Sequence, residues 1–425
     1  MQMKWAQLMK REIQWVTGIG EIQAVIDAVH SKIVTWKKNT FDVPTTKCGK
    51  DVVIEATRLL KLFNARSEME PVAINLLVIF FPLMLQKPSR RSKTKDHKRY
   101  LSKRLQWWKD GKIAELMAEA VEIQKRIQVQ SKRGKESVLR GFTRLMTEGK
   151  VKQALKLVDA DNEIIGVHTL NEQVRNLLLE KHPESEDVYH EATIQGEVPQ
   201  VQGVIFEDIS GEAIQSAAKN VHGSGGPTKV NADLWKHVLC SKRFGKVSDE
   251  FAAEIAIATR RLCVEDVPHK YINFLLDSRL VPLMKEDDGV RPIGIGECLR
   301  RIMGKSVAKV VGGDVQLAGG TLQTCTGIEA GIEASIHAMA RLFNDDQCEA
   351  VILVDAENAF NRLNRKTSLH NIQHLCPPLF RFLKNTYNEP ANYILEMVRS
   401  SGLKKEQHKA IPWPCRCMQY HPERL

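Results

Sequence analysis

The chain has 425 residues, 43% of them hydrophobic and 27% charged, which excludes fibrous and disordered classes. Lysine and arginine number 62 against 51 aspartates and glutamates, a net charge of +11, and such an excess points to an anionic partner, nucleic acid or lipid, without bearing on fold. Aromatics are 6%, which argues against an all-β extracellular architecture. The nine cysteines are odd in number and scattered, against a disulfide framework and in keeping with reduced thiols of an intracellular protein. Only Cys415 and Cys417 lie close together, and that pair alone is weak evidence for a metal.

The N-terminal stretch MQMKWAQLMKREIQW carries charge where a signal peptide needs an apolar core, so secretion is not expected. Residues 1–86 read as helical. VVIEATRLLKLF repeats apolar residues at helical spacing, and Val72 to Leu85 is apolar nearly all round. That run is shorter than the roughly 20 residues that span a bilayer. Asn75 and Pro82 interrupt it, so a buried helix is expected. Lys87 to Arg104 then holds nine Lys or Arg and one Asp. It reads either as a solvated linker or as a phosphate-contacting strip through Arg90, Arg91, Lys93 and Lys95, whose binding would fall steeply with salt. Residues 105–180 return to helix, broken at Gly111 and Gly149. Trp107 and Trp108 suit core packing, or base stacking. Residues 181–230 are looser, with an acidic stretch and the tight turn GSGGPT at 223–228. Asn231 follows as an N-cap for NADLWKHVLCSK.

Beyond Lys246 the spacing predicts an amphipathic helix, SDEFAAEIAIATRRLCVED. Two short strands follow about the turn Glu286-Asp287-Asp288-Gly289. A basic-faced helix over 298–311 carries Arg300, Arg301 and Lys305 as candidate nucleic-acid contacts, and a further helix is expected from Gly327 to Leu342. Ala350 to Val354 is a continuous β-branched, apolar run, the pattern of a strand buried on both faces, and it ends at Asp355. A carboxylate at a strand end can hold magnesium, though many strands simply end in Asp. Lys285 and Arg291 flank the turn, where a point charge and a bidentate fork could grip a triphosphate. An ordinary hairpin with surface charges fits the same two residues.

Order and spacing bring these features together. The segments RLVPLMKEDDGVRPIGIGECLRRIMGK (279–305), GTLQTCTGIEAGIEASIHAM (320–339) and AVILVDAENAFNRLNR (350–365), continued by LCPPLFRFLKNTYNEPANYIL (375–395), resemble the reverse transcriptase domain of retrotransposons, of the non-LTR and related invertebrate mobile-element type. MLQKPS, the basic strip and GSGGPTKVNADLWKHVL resemble the segment that precedes such domains. The resemblance covers roughly residues 70–400. It implies an α+β fold, an incomplete right-hand polymerase with fingers and partial palm, no thumb, and a mainly helical N-terminal region. The expected divisions are 1–86 helical, 87–104 basic linker, 105–230 connecting, 231–403 fingers and partial palm, and 404–425 irregular. The resemblance makes Asp355 the first catalytic, metal-binding aspartate, with the Ala356 carbonyl as a further magnesium ligand. It makes Phe360 the steric gate under the sugar and Lys285 and Arg291 the triphosphate contacts. It further implies Mg2+, dNTP, an RNA template and a DNA primer as cofactor and partners, with no membrane, and a nuclear or cytoplasmic location.

The sequence departs from the family in one respect. A Q-G loop and a [FY]-x-D-D hairpin should follow Asp355, and neither is found. Phe343-Asn344-Asp345-Asp346 precedes Asp355 and reads as a turn; Asp287-Asp288 belongs to the earlier hairpin. Writing Glu406 to Pro422 in permitted codons and reading from the third base of the first gives TTQGDPLAMPMYAISS. With AAG for Lys404 and Lys405 this becomes EGTTQGDPLAMPMYAISS, which resembles the missing Q-G segment. A frameshift is therefore expected near the end of the chain, with the aspartate hairpin in the shifted frame. The 350–354 strand would lack its neighbour and present an apolar edge, and the chain by itself would be inactive. A nucleic-acid-binding fragment without catalysis is the alternative.

Overall fold

The structure, a computed structural model, describes residues 18–89, 91–129, 135–149, 168, 170–183, 186–285, 289–321, 323–325, 327–345, 347–395 and 411–413. In chain order these form α1 (Ile19–Ile33), α2 (Lys47–Asn64), α3 (Glu70–Met84), α4 (Thr94–Lys109), α5 (Ile113–Val129), α6 (Lys135–Thr147), α7 (Glu172–Glu180), α8 (Gly211–Lys219), α9 (Ala232–Cys240), α10 (Lys246–Val264) and α11 (His269–Leu276). Then come strands β1 (Ser278–Met284) and β2 (Val290–Gly296), and helices α12 (Cys298–Val310), α13 (Gly312–Gly319), α14 (Gly331–Phe343), α15 (Ala359–Arg362), α16 (Arg365–Leu375) and α17 (Pro377–Tyr387). Strands β3 (Ala391–Leu395) and β4 (Ile411–Trp413) complete the described chain. The fold is α+β and mostly helical.

Helix α3 explains the packing. Every residue from Val72 to Met84 is buried, so the helix must be surrounded, and α1, α2, α4 and α11 pack against it. Its one amide is satisfied inside the core. Asn75 Nδ2 donates to the Lys270 carbonyl at 3.0 Å and to Asn273 Oδ1 at 2.8 Å, and Asn75 Oδ1 accepts from Phe274 N. At about 1.5 Å per residue, its 15 residues fall short of a bilayer core. Among the described residues no helix is long and apolar enough to cross a membrane. Helix α10 packs against α2, α8 and α17. One continuous cluster of buried side chains runs from Ile22 to Ala391, across the divisions expected at 86, 104 and 230.

The basic strip is a linker only at its start. From Thr94 it is helix α4, because Leu101, Leu105 and Trp108 recur at helical spacing and are drawn into the core. Gly111, at φ 71°, ends the connection to α5. Trp108 is fully buried, lies edge-on to Phe80 with ring centroids 5.0 Å apart, and donates from Nε1 to Glu55 Oε1 at 3.1 Å. Arg104 is buried as well. Its Nε donates to Glu119 Oε2 at 2.6 Å, and its Nη1 to the Met84 and Gln86 carbonyls at 2.9 and 2.7 Å. A cation in the basic strip thus closes the C-terminal end of α3.

The sheet has the order β2-β1-β3-β4. β1 and β2 are an antiparallel hairpin, in register from Ser278↔Gly296 to Met284↔Val290. β3 runs parallel to β1 and β4 antiparallel to β3. The expected strand at 350–354 is corrected by the structure: these residues join no sheet and adopt no strand. Both sides of β1 and of β3 are already occupied, and a strand without a partner leaves its backbone to water. Ile352, Leu353 and Val354 are exposed, Leu353 at 88%. The helix expected from Gly327 begins at Gly331, after Gly327 at φ 71° and Ala330 at φ 53°.

Removing one partner of a buried ion pair leaves the other groups uncompensated. Arg104→Ala is therefore expected to destabilise the chain by about 3 kcal/mol, read from the midpoint of urea unfolding. Arg104→Lys should recover only a part, since one ammonium cannot reproduce the fork across Glu119 and two carbonyls.

Candidate functional site

The β1–β2 hairpin positions the two cations singled out in the sequence. Side chains alternate faces along a strand. Ser278, Leu280 and Pro282 turn inward with Val290 and Pro292. Arg291 stands opposite Leu283, and Lys285 is two residues beyond Leu283, so both cations take the other face. Both are exposed. The Lys285 N–H donates to the Gly289 carbonyl at 2.9 Å, which closes the hairpin end; residues 286–288 lie outside the described residues. His168 braces the same end, its N–H donating to the Pro282 carbonyl at 2.9 Å and its Nε2 lying 3.1 Å from the Gly289 carbonyl oxygen. On the inward face Tyr393 crosses β1 to reach Gly294, where a Cβ would come within 2.8 Å of the ring.

The base of the hairpin is a buried polar node that sequence reasoning missed. Glu297, the residue after β2, accepts from Thr228 N at 2.8 Å and Thr228 Oγ1 at 2.9 Å. A Cβ on Gly226 would lie 2.7 Å from Glu297 N, so only glycine lets the 223–228 turn sit this close. Arg301 donates to the His222 and Ser224 carbonyls at 3.0 and 2.6 Å, Lys305 to the Asn220 carbonyl at 3.2 Å, and Arg279 to the Gly225 carbonyl at 3.3 Å. Arg300 donates to the Leu276 carbonyl at 2.9 Å and lies 4.5 Å from the Tyr387 ring centroid. The basic face of α12 is thus largely occupied with backbone carbonyls of its own chain. The signal available in the sequence was GSGGPT, a turn rich in glycine that a following element must hold. Asn231 caps α9 as expected, its side chain accepting from Leu234 N.

Burial pushes the Glu297 carboxyl up to about 7, against the Thr228 hydrogen bonds and the nearby Arg301 and Lys229. Burial likewise raises Asp277 to about 7, although it accepts from Asn392 N at 3.0 Å. Burial and the neighbouring Arg279 bring Lys229 down to about 7.

Asp355 lies elsewhere in character. It and Ala356 are exposed, as is Phe360 at 48%. The segment is tethered just after them: Asn358 Nδ2 donates to the Lys181 carbonyl at 2.7 Å, Asn364 Nδ2 to the Asp187 carbonyl at 2.6 Å, and Lys366 pairs with Asp187 at 2.6 Å. Residues 186–194, part of the stretch expected to be loose, therefore form a strap along α16, fixed further by Asn371 to Ile194 N and the Ala192 carbonyl. The structure brings Lys285 and Arg291 onto one face; it does not place Asp355 on the sheet with them. Among the described residues no cluster of three or more His, Cys, Asp or Glu could hold a metal. One exposed carboxylate and a neighbouring carbonyl do not make a two-metal centre. Arg90 lies outside the described residues, whereas Arg91, Lys93 and Lys95 are exposed. Cys415, Cys417 and most of 404–425 also lie outside them; the cysteines that are described are free thiols.

No family model, curated protein or solved structure matches the chain.

The buried carboxyls give stability a pH dependence. In the folded chain Glu297 and Asp277 keep their protons to about pH 7, whereas unfolded carboxylates lose them near pH 4. Their contribution is full below that lower value and lost as pH rises through 7. Buried His30, lowered to about 3 by burial, acts in the opposite sense over part of this range. The difference between wild type and Glu297→Gln isolates the carboxyl. From pH 5 to pH 7.5, wild type is expected to lose roughly 2 kcal/mol relative to the variant, measured by urea unfolding at each pH.

Proposed function

We propose that the chain is the fingers and part of the palm of a polymerase of the reverse transcriptase type, RNA-directed and DNA-synthesising, and that as it stands it binds nucleic acid without polymerising. The observation that carries this is the hairpin. Its register sets Lys285 and Arg291 on one exposed face, the arrangement a triphosphate requires, and the motif order of the resemblance runs on from it through α12 to Asp355. In that role Lys285 and Arg291 hold the nucleotide's phosphates, Phe360 lies under its sugar, and an RNA template and DNA primer are the partners, in nucleus or cytoplasm. Magnesium would stabilise the charge that develops at the transferred phosphate; among the described residues the donors do not complete a site for it, and no step is assigned to it.

The incompleteness has its own support. Helix α14 presents Ile332, Ile336, Met339 and Phe343 to solvent, Ile336 at 61%, and the 350–354 run is exposed beside it in sequence. Buried palm elements would use both surfaces, and the [FY]-x-D-D hairpin expected in the shifted frame supplies a strand for one of them. The second reading, nucleic-acid binding with no catalytic past, is favoured by the exposed cations at Arg91, Lys93 and Lys95.

Genomic and transcript sequence from codon 395 onward tests the proposal first: an aspartate hairpin in the shifted frame is expected, and its absence leaves only the second reading. The chain rebuilt in that frame should then extend a DNA primer on an RNA template. Asp355→Ala should abolish extension, and Phe360→Val should admit ribonucleotides. Arg291→Gln should raise KM for dNTP about tenfold, the loss of one charge-assisted hydrogen bond. The 425-residue chain itself should show no extension.

A further inference from the structure

We infer that the outer face of α4 is a binding surface for single-stranded nucleic acid, built on the helical region and separate from the hairpin and from Asp355. The inner face is used by the core through Leu101, Arg104, Leu105 and Trp108. On the outer side Lys95, Arg99 and Lys103 are exposed. They recur every four residues, one above another on a helix, and Trp107 continues the row. From Lys95 to Trp107 the row is about 18 Å long at 1.5 Å per residue.

Two aromatic rings lie within this row of charge. The Lys103 ammonium is 4.0 Å from the Trp107 ring centroid, and Arg99 and Lys103 lie 5.4 and 5.9 Å from that of Tyr100. Both rings are half-buried, so each keeps an accessible part while its rotamer is held. Like charges at this spacing repel and weaken a helix. Lys103 has Glu119 at 3.5 Å, but among the described residues Lys95 and Arg99 meet no carboxylate, and an external polyanion would relieve the repulsion.

Cations that track a phosphate chain, interleaved with rings on which bases stack, are the chemistry of single-strand binding. A duplex offers its phosphates but keeps its bases stacked inside, leaving the rings unused. A lipid surface asks for an outward apolar face, and the apolar face of α4 is already inside the core. The surface shares its class of ligand with the proposed polymerase role but needs none of that role's residues.

The test uses the full chain and a fluorescent oligonucleotide of about twenty uridines, with anisotropy titrations from about 50 to 300 mM salt. The triple variant Lys95→Gln/Arg99→Gln/Lys103→Gln should lose about tenfold or more in affinity at low salt. Its salt slope should become shallower by about 2, from 0.7 per phosphate contact on a single strand. Its melting temperature should stay near that of wild type, since relief of the repulsion offsets loss of the partly exposed Lys103–Glu119 pair. Tyr100→Ala should cost about tenfold with the salt slope unchanged, a result that mere loss of charge cannot give. Lys242→Gln/Arg243→Gln, which removes two exposed cations outside α4 and the hairpin, should bind the oligonucleotide as wild type does; the titration needs no primer extension, so failure of the polymerase proposal would leave this result standing. Wild-type affinity and slope in the triple variant would overturn the inference. So would equal affinity for a duplex of the same length, or binding to phosphatidylserine vesicles without binding to the oligonucleotide.

Discussion

Helix α3 has no wet side, and the rest of the helical structure follows from that. A helix buried from Val72 to Met84 must be enclosed, and its final carbonyls must find donors away from water. Gln86 Nε2 serves the Pro82 carbonyl and Phe41 N the Leu85 carbonyl, and Arg104 reaches back from α4 to the Met84 and Gln86 carbonyls while Glu119 balances its charge. The Gln86 side chain joins the same arrangement through Gln124 Nε2 at 2.7 Å. Gln124 in turn exchanges hydrogen bonds with the Lys37 backbone, its Oε1 accepting from Lys37 N and its Nε2 donating to the Lys37 carbonyl. One buried guanidinium therefore fixes where α4 lies, and with it which residues of the basic strip face outward.

The hairpin depends on a comparable arrangement. A two-stranded hairpin alone is marginal in water, so its position must come from its neighbours. Glu297 holds the Thr228 turn at the base, Arg301 and Lys305 hold the chain before that turn, and His168 braces the far end. Burying Glu297 is costly by itself. It is tolerated because both carboxyl oxygens accept hydrogen bonds and cations lie close. The same burial makes the node sensitive to pH, so the cations at the hairpin tip stand on a base whose charge state changes near neutrality.

Much of this was legible in the sequence. The all-round apolarity of 72–85 marks a buried helix, the turn at 286–289 marks the β1–β2 hairpin, Gly111 marks a break, and Asn231 marks a cap. The failures have a common cause. Arg104 reads as one more surface cation, because nothing in a one-dimensional pattern says which arginine will meet two carbonyls and a carboxylate. Glu297 is hidden for the same reason: its partner is Thr228, 69 residues earlier. The basic strip reads as linker or phosphate strip, and from Thr94 it is a helix with one face in each environment. Of the candidate site, only the shared face of Lys285 and Arg291 could be derived from period-two alternation.

Ala350 to Val354 shows the limit of local pattern most clearly. Its composition is that of a strand buried on both faces, yet composition sets only a preference; hydrogen bonds to neighbours make a strand. β1 already has β2 and β3 beside it, and β3 has β4, so no inner position is open. Ile352 to Val354 stay exposed outside the sheet, and so does Asp355 at the end of the run. Holding a divalent cation requires several oxygens gathered at one point, and gathering them requires a rigid support. Among the described residues the missing ladder partner and the missing metal-ligand cluster go together: a segment that no neighbouring strand holds cannot keep Asp355 at a fixed point where further oxygens could gather.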